Sequence, residues 1–190
     1  TVGCVNSLVR TLKEKAEKLK LGSNDNIFAV AHQFGCSQLG EDHNDFKKLL
    51  VSLALNPNAT YVIFIGLGCE NNQISGIKEL LKPYKRDNIF FYNAQEVDDD
   101  ITYGFNLLKK LVDKASKLKR SKVSLSELTI GLKCGGSDAF SGLTANPKVG
   151  EVSDKLIAYG GSSVLTEVPE MFGAEQILMN KCLNKSIYQK

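Results

Sequence analysis

The stretch Tyr61-Val62-Ile63-Phe64-Ile65-Gly66-Leu67-Gly68-Cys69-Glu70-Asn71-Asn72 decides the fold. Tyr61 to Ile65 is an unbroken aromatic and β-branched run, which predicts a strand buried on both faces. Glycine then interrupts it, and a helix pattern follows from about Asn72 to Lys82, ended by Pro83, which cannot continue the ladder. The same strand–loop–helix order recurs outward in both directions. Ile27 to Ala31 is a short apolar strand, followed by a helix from Glu41 to Leu55 that Asn56-Pro57 closes. Asn88 to Tyr92 is a strand, and Asp99 to about Leu118 is a long helix with three aspartates at its positive end. Glu127 to Leu132 and Ser162 to Thr166 read as strands, each followed by a helix, Pro147 to Tyr159 and Met171 to Leu183. Gly22 to Asn26 supplies a turn. Thr1-Val2-Gly3-Cys4 reads as the end of a strand, followed at once by a helix with Val5, Leu8, Val9, Leu12, Ala16 and Leu19 on one face.

Continuous apolar strands alternating with helices predict a parallel sheet covered on both faces. The expected architecture is a single α/β domain over 1–190, a Rossmann-like three-layer sandwich with a mostly parallel sheet of about five strands. Right-handed crossovers bring the strand-to-helix loops to one carboxyl edge, where open α/β sheets bind their ligands.

Composition narrows the function classes. The chain has 190 residues, enough for one sizeable core, and a net charge of +3, too small to indicate a nucleic-acid partner. Its lysines lie on amphipathic helix patterns without base-stacking aromatics among them. No apolar run approaches the ~20 residues that span a bilayer, and no signal peptide opens the chain. Asn58-Ala-Thr60 and Asn184-Lys-Ser186 are read as chance matches to a glycosylation triplet. Five cysteines, an odd number, do not suggest a disulfide framework and point to a reducing, cytoplasmic compartment. The abrupt start reads as a fragment of a longer protein.

Four of those cysteines follow a glycine in a strand-to-helix loop: Cys4, Cys36, Cys69 and Cys134. Glycine lets backbone approach a ligand closely, and a thiol near a helix start favours its thiolate. Cys182, within the last helix, is assigned to packing. No CxxC pair, dinucleotide fingerprint, Walker-type loop or nucleophile elbow is present. Three thiolates with an open position suit zinc or an iron–sulfur cluster with one unligated iron. A single divalent iron held by His, Cys and carboxylate is equally compatible. His32 follows a strand directly and is placed to act as base or ligand near neutral pH. His43, in a polar stretch, reads as a surface residue. Glu70 and Asp138 each follow a loop cysteine, as ligand, base or helix cap, and Glu167 follows the last strand.

Four stretches resemble the altronate/galactarate dehydratase family: His32-Gln-Phe-Gly-Cys-Ser-Gln38, Gly66-Leu-Gly-Cys-Glu70, Gly131-Leu-Lys-Cys-Gly-Gly-Ser-Asp-Ala-Phe-Ser-Gly-Leu-Thr-Ala-Asn-Pro147 and Glu167-Val-Pro-Glu-Met-Phe-Gly-Ala-Glu175. The opening Thr1-Val-Gly-Cys-Val-Asn6 is similar to that family's first strand-to-helix junction. The resemblance implies a hydro-lyase that dehydrates a sugar acid to a 2-keto-3-deoxy acid with a divalent metal, Fe2+ before Zn2+ or an iron–sulfur cluster. It also implies a small N-terminal domain, or separate small subunit, and a C-terminal region beyond this chain, so the isolated chain is expected to be inactive. A homo-oligomer is compatible with it. The site residues expected are His32 as base with Glu70 and Glu167 as further catalytic groups. Cys36, Cys69 and Cys134, with Glu70 or Glu167 as further candidates, are expected at the metal, and Gly135, Gly136, Ser137, Asp138, Ser141, Thr144 and Asn146 around the substrate. Two rival readings are a sulfolactate sulfo-lyase on the same scaffold and a non-catalytic metal- or cluster-binding domain.

Overall fold

The computed structural model describes residues 2–19, 26–136 and 138–189. Ser137 lies outside the described residues, as does the expected turn at Gly22 to Asn26 except for Asn26. The chain divides into two compact units, Thr1–Lys119 and Arg120–Lys190.

The first unit runs α1 (Val2–Ala16), α2 (Gly40–Ala54), β1 (Val62–Gly66), α3 (Ile74–Leu81), β2 (Ile89–Asn93) and α4 (Asp100–Ala115). Strands β1 and β2 pair in parallel, Val62 opposite Ile89 and Gly66 opposite Asn93. Alternate strand residues face opposite ways, and each face has its own cluster. Val62, Phe64, Ile89 and Phe91 pack with Val51 and Ala54 of α2 and with Ile77 and Leu81 of α3. Ile63, Ile65 and Tyr92 pack on the other side with Leu8 and Leu12 of α1 and with Ile101 and Phe105 of α4. Helix, sheet and helix are thus layered as the continuous apolar strands predict. Asp99 caps α4, its carboxylate accepting the Thr102 N–H at 2.8 Å and the Thr102 hydroxyl at 2.7 Å. Gly104 is where α4 meets its neighbours most closely, since a Cβ there would meet the Tyr92 hydroxyl and lie 2.8 Å from Leu12 Cδ1.

The second unit contains β3 (Thr129–Leu132), α5 (Ala145–Ala158), β4 (Ser162–Leu165) and two short helices, α6 (Glu175–Met179) and α7 (Lys185–Tyr188). Strands β3 and β4 are again parallel, Thr129 opposite Ser162 and Leu132 opposite Leu165. Leu156 of α5 is buried at 8% exposure, whereas Val164 and Leu165 remain about half exposed.

The α/β class and the parallel pairing agree with the sequence reading, but the five-stranded sheet is not formed among the described residues. Two separate two-stranded sheets stand in its place. Ile27 to Ala31 forms no strand and joins no ladder, and Phe28 is 81% exposed. Gly3 and Cys4 lie inside α1 rather than in a loop after a strand. The helix expected over Met171 to Leu183 is shortened to α6, since Met171 ends a 3-10 turn and Gly173 takes φ +86°, a conformation a right-handed helix cannot contain. No helix among the described residues is long and apolar enough to cross a membrane.

Candidate active site

Parallel pairing sets strand ends side by side, so the loops that follow neighbouring strands become neighbours as well. In the first unit Gly66 and Asn93 are the paired last residues of β1 and β2. The chain leaving β1 folds back on itself, and Glu70 Oε2 accepts the N–H groups of Leu67 and Gly68 at 3.1 and 2.8 Å. Its other oxygen lies over Gly66, where an added Cβ would meet both Glu70 Oε1 and Asn93 Oδ1. Gly66 is buried, and only a residue without a side chain leaves room for that carboxylate.

The His32 loop lies against this one. Cys36 Sγ donates to the Cys69 carbonyl at 3.5 Å, and the Asn71 N–H donates to the Gly35 carbonyl at 3.2 Å. Asn6 of α1 donates its side-chain amide to the His32 carbonyl at 3.0 Å. The half-buried imidazole packs edge-on against Phe46 of α2, with centroids 4.9 Å apart. Burial holds its pKa below the ordinary value of 6.5, against opposing pulls from the Phe34 backbone contact and, more weakly, from the Glu70 charge. The Phe34 N–H donates to His32 Nδ1 at 3.2 Å. In the neutral ring, Nδ1 is therefore the acceptor and Nε2 carries the proton. His43, expected on the open surface, is half-buried, with Nε2 3.1 Å from the Asn71 carbonyl.

In the second unit Cys134 and Glu167 each stand two residues beyond the paired ends Leu132 and Leu165. That register brings them together, and the Cys134 N–H donates to Glu167 Oε2 at 2.8 Å. Lys133 Nζ is 3.1 Å from Glu167 Oε1. The Cys134 N–H first and the Lys133 ammonium second hold the Glu167 carboxyl below its ordinary range. Lys133 is raised in return by its bond to Glu167. Glu167 itself takes φ +64°, rare for a residue with a side chain and a strain that tends to collect at functional positions. It opens a 3-10 turn, Val168–Met171, in which the Glu170 N–H donates to the Glu167 carbonyl at 2.9 Å. Residues three apart eclipse in such a turn. Cys134, Glu167 and Glu170 consequently offer one thiol and two carboxylate ligand atoms, all within 4.8 Å of one another. A thiolate with two carboxylates is a donor set suited to a borderline divalent ion such as ferrous iron or zinc.

Each expected residue can now be located. His32, Cys36, Cys69 and Glu70 gather in the first unit, and Cys134 and Glu167 in the second. Among the described residues Cys36 and Cys69 join no three-ligand group, whereas Glu170, unexpected from sequence, does. Gly135 and Gly136 have open space where a side chain would begin. Asp138, Ser141 and Thr144 bond their own turn: Asp138 Oδ1 accepts from Phe140 N, Ser141 Oγ accepts from Asp138 N, and Thr144 Oγ1 donates to Phe140 O. Asn146 lies in the first turn of α5.

Two family models match, and each falls on one unit. Residues 1–116 match "D-galactarate dehydratase/Altronate hydrolase, second domain", and residues 125–190 match "D-galactarate/Altronate dehydratase, C-terminal". The chain belongs to the galactarate/altronate dehydratase family. Within that family, the altronate dehydratase of Bacillus subtilis (strain 168) is 48% identical over 192 positions, covering 100% of this chain and 39% of the relative. The altronate dehydratase of Escherichia coli (strain K12) is 45% identical with the same coverage. A more distant relative of this chain is the (2R)-sulfolactate sulfo-lyase subunit beta of Chromohalobacter salexigens. It is 33% identical over 165 positions, covering 85% of this chain and 41% of the relative. The chain thus spans about two fifths of these relatives' length. No solved structure matches it.

Proposed function

We propose that this chain forms part of the catalytic portion of a metal-dependent hydro-lyase that dehydrates a sugar acid, of altronate or galactarate type, to a 2-keto-3-deoxy acid. The observation that carries the reading is similarity along the whole chain to two altronate dehydratases, at 48% and 45% identity. The sulfo-lyase relative stands at 33% over 85% of the chain, so the sulfolactate reading ranks second. The partners proposed are the remaining domains, or a small subunit, of the same enzyme.

Dehydration removes the proton α to the carboxylate and expels the adjacent hydroxyl, and the resulting enol becomes the 2-keto product. A bound divalent ion, our choice being ferrous iron, supplies Lewis acidity toward substrate oxygens. Cys134, Glu167 and Glu170 are the residues that would hold it, with Lys133 keeping the Glu167 carboxylate ionised. Within the first unit, taken by itself, His32 and Glu70 are the groups proposed to exchange protons. Burial favours the neutral imidazole, whose Nε2–H can donate a hydrogen bond to a substrate oxygen without giving up its proton. Glu70 Oε2 is occupied by two backbone donors, and Oε1 is the atom that accepts. His32 acting as the base would require Nδ1 to leave the Phe34 N–H. The Gly135-Gly136 backbone and the turn before α5 are the proposed seat of the substrate carboxylate.

The test is turnover of the whole enzyme on altronate, galactarate and sulfolactate, with and without added ferrous iron. Keto-acid formation is expected from one of the two sugar acids and is expected to depend on the metal. Sulfite release from sulfolactate alone would replace this reading with the sulfo-lyase.

A further inference from the structure

Asn71 is tied to the neighbouring segment through three of its polar groups. Its backbone N–H donates to the Gly35 carbonyl at 3.2 Å, and its side-chain amide donates to the Gln38 carbonyl at 2.7 Å. Its own carbonyl lies 3.1 Å from His43 Nε2, which projects from the first turn of α2. Three polar groups of one residue thus reach the 35–43 segment, and two further ties join the same segments: the Cys36 thiol on the Cys69 carbonyl and the Asn72 amide on Gln38 Oε1, each at 3.5 Å. The segments so joined are those that carry the candidate proton-transfer groups, His32 on one side and Glu70 on the other. Residues 35–39 and 67–73 are neither helix nor strand, and His43 stands in the first turn of α2. Loops without such ties move readily.

Glu70 does not fix its own distance from His32. Its Oε2 is bound within its own loop, by Leu67 and Gly68. The imidazole is likewise held from its own side, by Asn6 at its carbonyl, by Phe34 and by the Phe46 ring. The spacing between the two groups is therefore set by what joins the loops, and Asn71 supplies most of that joint. Resting on the functional reading above, we infer that Asn71 is a positioning residue: with His43 as its brace, it sets the His32–Glu70 spacing on which proton transfer depends. A misplacement of about 1 Å in such a pair costs on the order of 100-fold in rate.

The experiment uses the whole enzyme with Asn71→Ala, His43→Ala and His43→Gln. Asn71→Ala is expected to lower kcat by roughly 10- to 100-fold with little change in KM. His43→Ala should act in the same direction but less, and His43→Gln, whose amide can still donate to the Asn71 carbonyl, should recover most of the loss. A second readout needs no substrate. The His32 imidazole, assigned with a His32→Gln control, is titrated by NMR. Loosening the loops takes away the upward pull of Glu70, so His32 should titrate lower in Asn71→Ala than in the parent. Unchanged kcat, or a loss of kcat with an unmoved His32 titration, overturns the inference. Should Asn71→Ala fail to fold, the His43 pair decides by the same two readouts. If the parent enzyme turns over none of the acids, the functional reading falls, and the titration still decides the role of Asn71.

Discussion

Lys133 and Glu167 form an ion pair at 3.1 Å, and the oxygen that Lys133 does not reach accepts the Cys134 N–H at 2.8 Å. The two side chains come from the ends of adjacent parallel strands, so this small network joins the two loops beyond β3 and β4. Lys133→Met removes the cation and leaves the stronger backbone donor. The Glu167 carboxyl should then titrate higher than in the parent but still below the ordinary carboxylate range, as read by NMR of the side-chain carboxyl. A return to the ordinary range would show that the Cys134 N–H contributes little.

Metal binding separates the two possible ligand sets. Cys134→Ser, Glu167→Gln and Glu170→Gln should each weaken ferrous or zinc affinity by more than about tenfold, measured by metal titration under anaerobic conditions. Cys36→Ser and Cys69→Ser test the three-thiol set expected from sequence. If those two variants lose metal while Glu170→Gln retains it, the carboxylate set is wrong.

His32 predicts how stability responds to acid. Its folded pKa lies below the unfolded value of 6.5, so between the two values the unfolded chain binds more protons. Stability is therefore full above pH 6.5 and declines as pH falls through that value toward the lower folded pKa. His32→Gln should flatten the decline across this window in urea denaturation at a series of pH values. An equal decline in the variant would place its cause elsewhere.

Two glycines distinguish stability from function. Gly104→Ala drives a methyl group against Tyr92 and Leu12 between α1, α4 and β2. Gly66→Ala drives one against Glu70 and Asn93. Each should cost about 1–3 kcal/mol by chemical denaturation. Only Gly66→Ala should also suppress turnover of the whole enzyme beyond what its stability loss explains, because it displaces Glu70 Oε1.

The sequence reading succeeded where local pattern carries the information. Tyr61 to Ile65 and Asn88 to Tyr92 are short apolar runs closed by turn residues, and β1 and β2 lie within one residue of those bounds. The loops after β1 and β3 were legible because glycine, cysteine and carboxylate fall together in the chain. Ile27 to Ala31 has the same composition but no ladder, since strand formation depends on a neighbour that composition does not specify. Glu170 was not singled out from sequence because only the 3-10 turn brings it beside Glu167 and Cys134. Asn71 and His43 look like ordinary loop and surface residues until the tertiary bonds between them are seen.

The parallel pairing of both sheets has a kinetic consequence. Val62 cannot meet Ile89, nor Thr129 meet Ser162, until the long crossover segment between them has folded back. Neither sheet can begin as a hairpin. Each must close a long segment before its first ladder bond forms, which slows folding relative to a hairpin-built sheet of the same size. Substitutions at the β1–β2 contact with α3, such as Ile77→Val, should therefore slow refolding in stopped-flow as well as speed unfolding. Trimming the exposed Phe28 should leave both rates nearly unchanged.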